Sequence, residues 1–548
     1  MLVYLHHVMN TTNTENTVPS GKEPPKMPGA LPILGHMLKF GKNPFRYMMN
    51  LRESLGEIGE FRMFHQKMVL MTGPEANEAF FRAPDGQLDQ SQAYKIMTPI
   101  FGKGVVFDAP PHKKDQQLKM LMPVLRDKPM RGYAQVIVQE VEQMIAGWGD
   151  TGEIDLLEFM KELTIYTSSH CLLGNEFRYE LNEEFAKIYH DLEKGVNPLA
   201  FVFPYLPLPV FRRRDKARAR LQELVTGIIA KRALKTEKSE DAFQLLIESK
   251  YDDGTHLSPH EITGMLIGTI FAGHHTTAGT AAWTLLELAR RPEQLTVVLN
   301  ELDNLFGTEG EVTFQSLREI PVLENVIKEV LRLHPPLIFL IRKVMKDFHF
   351  KGYTVKVGKY VCTSPRVSHR IAEVFPNPEK FDPERYSKAR QEDAQPFSWI
   401  AFGGGKHKCT GNAFAMLQLK AIFSILLRRY TFELVDDKDN YQDDFTQMVV
   451  QPLSPCRIRY IKRTDIKATL DGSAQQKAQE AVTGIGFQIK IDRELCQGHA
   501  TCMAEAPELF QVDDAGNVTV LQENPSLDLL EKARQAEKYC PSKAIKIN

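Results

Sequence analysis

Several things are missing from this sequence, and each absence excludes something. None of its 548 residues form an apolar run of the ~20 that a membrane-spanning helix needs. The opening Met1-Leu2-Val3-Tyr4-Leu5 lacks the basic start and small-residue cleavage site of a signal peptide. Net charge is also scarce. Against 69 Asp and Glu stand 68 Lys and Arg, so a nucleic-acid partner has no electrostatic support. Seven scattered cysteines are too few for a secreted disulfide framework and point to a reducing compartment. The expectation is a cytoplasmic protein whose contact with membranes is at most peripheral.

What is present is ordinary globular material, 43% hydrophobic and 25% charged, in a chain too long for one core. Residues 10–30 read as an extended lead-in, followed by a helix near Pro44 to Leu55 and a β-ribbon over 57–73. From there to about residue 345 apolar residues recur at three- and four-residue spacing, which predicts helices. Phe201 to Pro209 forms an apolar, proline-stiffened loop before Arg212-Arg213-Arg214. That triplet reads as a solvated helix start, or as a contact for lipid headgroups.

Four motifs carry chemistry. In Phe402-Gly403-Gly404-Gly405-Lys406-His407-Lys408-Cys409-Thr410-Gly411, glycines let the backbone pass close to something flat, and one cysteine precedes an apolar helix from Asn412. The positive end of that helix and its flanking cations favour a thiolate, which suits an axial ligand to haem iron. A long apolar helix from about Pro259 to Arg290 carries Phe271-Ala272-Gly273-His274-His275-Thr276-Thr277, where Gly273 allows a local opening. Adjacent histidines point to different faces of a helix, so this pair makes a poor zinc site. Glu329 and Arg332 lie one helical turn apart, and Arg385 of Phe381-Asp382-Pro383-Glu384-Arg385-Tyr386 is a further partner if the pair is buried.

In this order and at these separations the motifs resemble a cytochrome P450 over roughly residues 25–462. The resemblance implies a mostly α fold with small β-sheets and haem b. It also implies Cys409 as the proximal ligand, with Phe402, Gly405 and Gly411 shaping its loop, and Glu329, Arg332 and Arg385 as a structural triad. Most members carry an acid where this chain has His275 before Thr276. That variant, and Tyr94 to Asp108, are similar to the sterol 14α-demethylases. By this match Tyr94, Arg342 and His407 contact the haem propionates. Ile96, Phe101, Ala272 and Gly273 line a sterol pocket, and Thr276 with His275 serves proton delivery. Asp191 and Glu193 are the candidate relay partners.

The last eighty residues differ in character. Residues 463–485 are rich in Ala, Gln, Gly, Ser and Thr and read as a linker, partly helical in Ala474 to Ala481. Beyond it, Cys496-Gln497-Gly498-His499-Ala500-Thr501-Cys502 and Cys540-Pro541 resemble a bacterial ferredoxin in which His499 replaces the second cluster cysteine. Three thiolates suggest a 3Fe–4S cluster, with 4Fe–4S through His499 as the lesser reading and a Cys3His zinc site as the rival. The domain expectation is therefore 1–462 haem domain, 463–485 linker and 486–548 a small α+β ferredoxin-like domain. The function implied is removal of the sterol 14α-methyl group, from lanosterol for example, in three oxidations with dioxygen. A separate NAD(P)H-dependent ferredoxin reductase would supply electrons through the fused domain. A ferredoxin-fused monooxygenase of another lipid or terpenoid and a non-catalytic haem redox sensor are the alternatives.

Overall fold

A proline at the first helical position, where its missing N–H costs nothing, opens many of the helices in this computed structural model. The structure describes residues 21–464 and 487–548, less 197–199, 201–202, 237, 240, 309, 514 and 523. The apolar lead Met1 to Met9 and residues 465–485 of the expected linker, with the Ala474 to Ala481 stretch, lie outside the described residues, whereas Arg463, placed in the linker by the sequence, is buried and paired with Asp303 at 2.7 Å.

The organising element is the helix Pro259–Ala289. Ser258 and Glu261 close a capping box at its start, each satisfying a backbone N–H of the other. From Thr277 to Leu288 every residue is buried, whichever face it occupies, as in a helix at the centre of a large core. Around it pack Leu156–Ser168, Pro209–Ala233, Pro321–Leu333 and Asn412–Arg429. Gly264 is obligatory where this helix crosses Thr98–Phe101, because a Cβ there would overlap the Phe101 carbonyl oxygen.

The helix Pro44–Leu55 and the ribbon Ile58–Met63 with Gln66–Met71 form where the pattern predicted them. The ribbon is the edge of a five-stranded sheet, which continues through Tyr360–Thr363 (parallel to Gln66–Met71), Leu340–Val344 and Leu88–Asp89. A second sheet joins Thr151–Asp155, Arg457–Lys462 and Tyr430–Leu434. No helix among the described residues is long and apolar enough to cross a membrane.

Arg214 departs from the sequence expectation for its basic triplet. Arg212 and Arg213 are exposed, but Arg214 turns inward, donating to the Pro204 carbonyl at 3.0 Å and pairing with Asp215. Helical spacing sends the third arginine of the run toward the core, so the triplet is not one lipid-facing patch.

Residues 487–548 have their own core, in which Phe487, Leu509, Phe510, Val518, Ala533 and Ile545 pack together. Two short ribbons, Ile489–Ile491 with Ile545–Ile547 and Phe510–Val512 with Val518–Val520, enclose it with the helices Thr501–Glu505 and Leu530–Tyr539. A separate core is the physical mark of a separate domain.

Candidate functional site

The cysteine loop is shaped by contacts within the protein. Gly405 has φ +59°, and a Cβ there would overlap the Phe81 carbonyl oxygen, so the packing against the helix Pro74–Arg82 requires this glycine. The Cys409 N–H donates to the Phe402 carbonyl at 2.9 Å and closes the loop. Gly411 caps the helix Asn412–Arg429. Burial pushes the Cys409 thiol up, against the pull of the Gly411 N–H and of Lys408. Yet its side chain is accessible. Coordination to a metal deprotonates a thiol outright, so the desolvated position fits a ligand to iron.

Behind the loop Glu329 and Arg332 meet in a two-pronged pair, both N–O distances 2.8 Å, with Arg385 Nε 3.2 Å away on the same carboxylate. All three side chains are 0% exposed. Such burial is tolerable because the guanidiniums also donate to the carbonyls of His369, Pro378, Pro376 and Asn377. His369, which carries no sequence signal of its own, transmits this order. Its Nδ1–H donates to the Arg332 carbonyl at 3.3 Å, and its Nε2 accepts the Ile400 N–H at 2.8 Å, just ahead of Phe402. Burial pushes its pKa down to about 3, which keeps Nε2 an acceptor.

On the long helix, Ala272 is exposed and Gly273 and Thr276 partly so, amid neighbours that are buried. That accessible patch inside the core is what a group seated against the helix would cover. The opening expected at Gly273 is not seen; the helix is unbroken, and the Thr276 hydroxyl donates to the Ala272 carbonyl at 2.6 Å. Nor do the adjacent histidines diverge, since their ring centroids lie 4.2 Å apart, both against Tyr189. His274 is taken up by the Lys161 carbonyl at 2.9 Å, and burial holds it neutral. His275 Nε2 lies 3.1 Å from Glu193, a charge contact without the alignment of a hydrogen bond. Burial would raise Glu193, but His275 holds its pKa below the ordinary value. Of the two acids read from the sequence, Glu193 meets the histidine.

Ile96 and Phe101 are buried in the main core. Tyr94, Phe107, Phe101 and Phe271 form a continuous aromatic series at centroid spacings of 5.2, 5.8 and 6.2 Å. Arg342 is buried, donating to the Phe80 carbonyl at 2.9 Å, and desolvation lowers its pKa to about 10. Lys114 is likewise lowered by burial. Two desolvated cations in one region fit an anionic group such as a carboxylate of haem. His407 lies 2.5 Å from Asp85, an acid that no sequence motif singled out. Burial opposes the charge on Asp85, yet His407 and Lys406 keep its carboxyl well below the usual range.

In the C-terminal domain Cys496, Cys502, Cys540 and His499 line one small cavity. Burial and the neighbouring thiols push Cys502 up to about 12. The Ala544 N–H donates to the Cys540 sulfur at 3.4 Å. Three thiols lining one cavity, one of them accepting a backbone N–H, fit an iron–sulfur cluster.

The two cysteine sites meet residue by residue. Gln497 donates to the Lys408 carbonyl at 2.9 Å, and Lys408 Nζ donates to the Ser542 carbonyl at 3.1 Å. Asn412 donates to the Pro541 carbonyl at 3.1 Å, and His499 Nε2 reaches the Thr410 carbonyl at 3.3 Å. Ion pairs surround this seam: Arg82 with Glu494 and Asp492, and Arg318 with Glu505 at 2.6 Å. The charge complementarity expected from Lys406 and Lys408 is thus supplied mainly by arginines, while Lys406 is held by Asp85 and Asp115 within its own domain.

Residues 25–459 match the family model "Cytochrome P450" and residues 489–547 the model "4Fe-4S single cluster domain". The chain is 48% identical over 447 residues to a sterol 14α-demethylase of Mycolicibacterium vanbaalenii, covering 81% of this chain and 98% of that protein. It is 39% identical over 448 residues to a sterol 14-demethylase of Arabidopsis thaliana, covering 80% and 91%. The structure of a retinoic acid-bound cyanobacterial CYP120A1 superposes with a TM-score of 0.73 at 24% identity, covering 81% of this chain and all of the other, which establishes the fold. Family membership brings haem to the larger region and an iron–sulfur cluster to the smaller. A thiol at the end of a glycine loop, a sealed carboxylate–guanidinium triad behind it and a second thiol-lined cavity docked alongside are accordingly those of a chain that belongs to the cytochrome P450 family, among the sterol 14α-demethylases, with a ferredoxin domain joined at its C-terminus.

Proposed function

We propose that this protein removes the 14α-methyl group of a sterol such as lanosterol in three successive oxidations and receives the electrons through its own ferredoxin domain. The substrate reading is supported by relatives named sterol 14α-demethylases along nearly their whole length. The electron-supply reading rests on one observation: residues flanking Cys409 hydrogen-bond to residues flanking Cys496 and Cys540. In this reading the division is 1–462, 463–485 and 486–548. Cys496, Cys502 and Cys540 hold a 3Fe–4S cluster, and a separate NAD(P)H-dependent reductase charges it.

Haem b ligated by a thiolate supplies activation of dioxygen, its electron donation favouring O–O cleavage. The rest falls to this chain's residues. Cys409 holds the iron, Tyr94, Arg342 and His407 bind the propionates, and Phe402, Gly405 and Gly411 shape the loop. Ile96, Phe101, Ala272 and Gly273 bound the sterol pocket and exclude water. Thr276 holds a proton at Oγ1. His275 holds one beside Glu193, whose side chain is 37% exposed. Covalent attachment makes the encounter of donor and haem domain intramolecular, at an effective concentration of ~mM.

The decisive experiment follows lanosterol turnover with a ferredoxin reductase, with products read by mass spectrometry. Demethylated product is expected from the wild type and none from Cys409→Ala. Cys496→Ala should lose turnover and regain it when a separate ferredoxin is added. Failure of that rescue overturns the assignment of electron supply, and absence of product from the wild type overturns the substrate.

A further inference from the structure

The residue that replaces a cluster cysteine is engaged by the other domain at both of its ends. The His499 backbone carbonyl accepts the Asp127 N–H at 3.3 Å. Its ring Nε2 lies 3.3 Å from the carbonyl oxygen of Thr410, the residue after Cys409. A carbonyl only accepts, so Nε2 carries the hydrogen and the ring is the donor. His499 is 5% exposed, and its Nδ1 has no hydrogen-bond partner among the described residues. The hydrogen bond its ring makes with a described residue therefore crosses to the haem domain, between the cluster cavity and the Cys409 loop.

We propose that His499 is a positioning residue that holds the cluster loop against the Cys409 loop, rather than a ligand to iron. This deepens the electron-supply reading and rests on it. In the step it serves, the reduced cluster gives up one electron and the haem iron takes up one. His499 gains and loses nothing; it keeps two backbones in contact. Lys408 and Asn412 also reach residues lining the cluster cavity, but there the acceptors are the backbone carbonyls of Ser542 and Pro541, whereas His499 contributes a side chain from the cavity itself. A glutamine there retains an N–H donor for Thr410, and a phenylalanine keeps the ring but loses the donor.

The test uses the full-length holoprotein as wild type, His499→Gln and His499→Phe. Oxidised protein under carbon monoxide is mixed with a ferredoxin reductase and NAD(P)H, so that electrons enter through the cluster, and formation of the ferrous haem complex is timed by stopped flow, while the oxidised cluster is examined by EPR. Both variants should show the wild-type cluster signal. The transfer rate should fall about tenfold in His499→Phe, as for loss of one buried hydrogen bond, and return toward wild type in His499→Gln. An unchanged rate in His499→Phe overturns the proposal. So does an altered cluster signal or cluster loss in His499→Gln, which would make the histidine an iron ligand. If the wild type itself passes no electron from cluster to haem, it is the electron-supply reading that fails. Should His499→Phe not fold, His499→Ala removes the same donor and is read against the same two outcomes.

Discussion

Two sets of ion pairs flank the cysteine loop, and they are built in opposite ways. Behind it, Glu329, Arg332 and Arg385 are 0% exposed, and the carboxylate also accepts from Tyr386 and the Asp382 N–H. In front, at the seam with the ferredoxin domain, Arg82 and Glu494 are 36% and 63% exposed. Only Arg318 there is well covered, stacked 3.5 Å over the Tyr539 ring while pairing with Glu505. The seam also leaves a cleft of about 910 Å³ between the domains. A sealed network is costly to break and fixes one loop geometry. Exposed pairs contribute little each, which in the proposed reading suits a domain that also receives electrons from elsewhere.

The comparison can be broken at either side. Glu329→Ala, which leaves two buried guanidiniums uncompensated, should cost about 4 kcal/mol. It is expected to lower the thermal midpoint steeply and to abolish the red-shifted carbon monoxide band of the haem domain. Retention of that band would mean the triad does not support the loop. Arg318→Ala should leave the haem spectrum intact but weaken docking by about 2 kcal/mol, from loss of a covered ion pair and a cation–π contact. Small-angle scattering would register the more extended average shape. Arg82→Ala is the mildest, at about 0.5 kcal/mol. Its effect should vanish in ~0.5 M salt, whereas that of Glu329→Ala should persist. If Arg82→Ala matched Glu329→Ala in severity, the contrast between the two networks would be false.

Much of this was legible in the chain. The helix Pro44–Leu55, the ribbon after it and the long helix from Pro259 follow from spacing and caps that act within a few residues. The Glu329–Arg332 pair is a one-turn relation, so its geometry is local; that it is buried, and completed by Arg385, is not. His369 and Asp85 were missed for the same reason: each acts through partners distant in sequence, Ile400 and His407, and neither stands in a motif. The contact between the His274 and His275 rings was misjudged because Tyr189 packs against both, a constraint that helical periodicity does not contain.

By itself the sequence determined the identities and order of the chemical groups: a thiol after glycines, and three thiols with a histidine in the place of the fourth. These depend on composition and spacing along one dimension. Only the tertiary structure decided which acid meets His275, which arginines bind the ferredoxin domain, and that the neighbours of Cys409 touch the neighbours of Cys496 and Cys540. Those are long-range contacts, chosen by the packing of whole surfaces, and no local pattern encodes them.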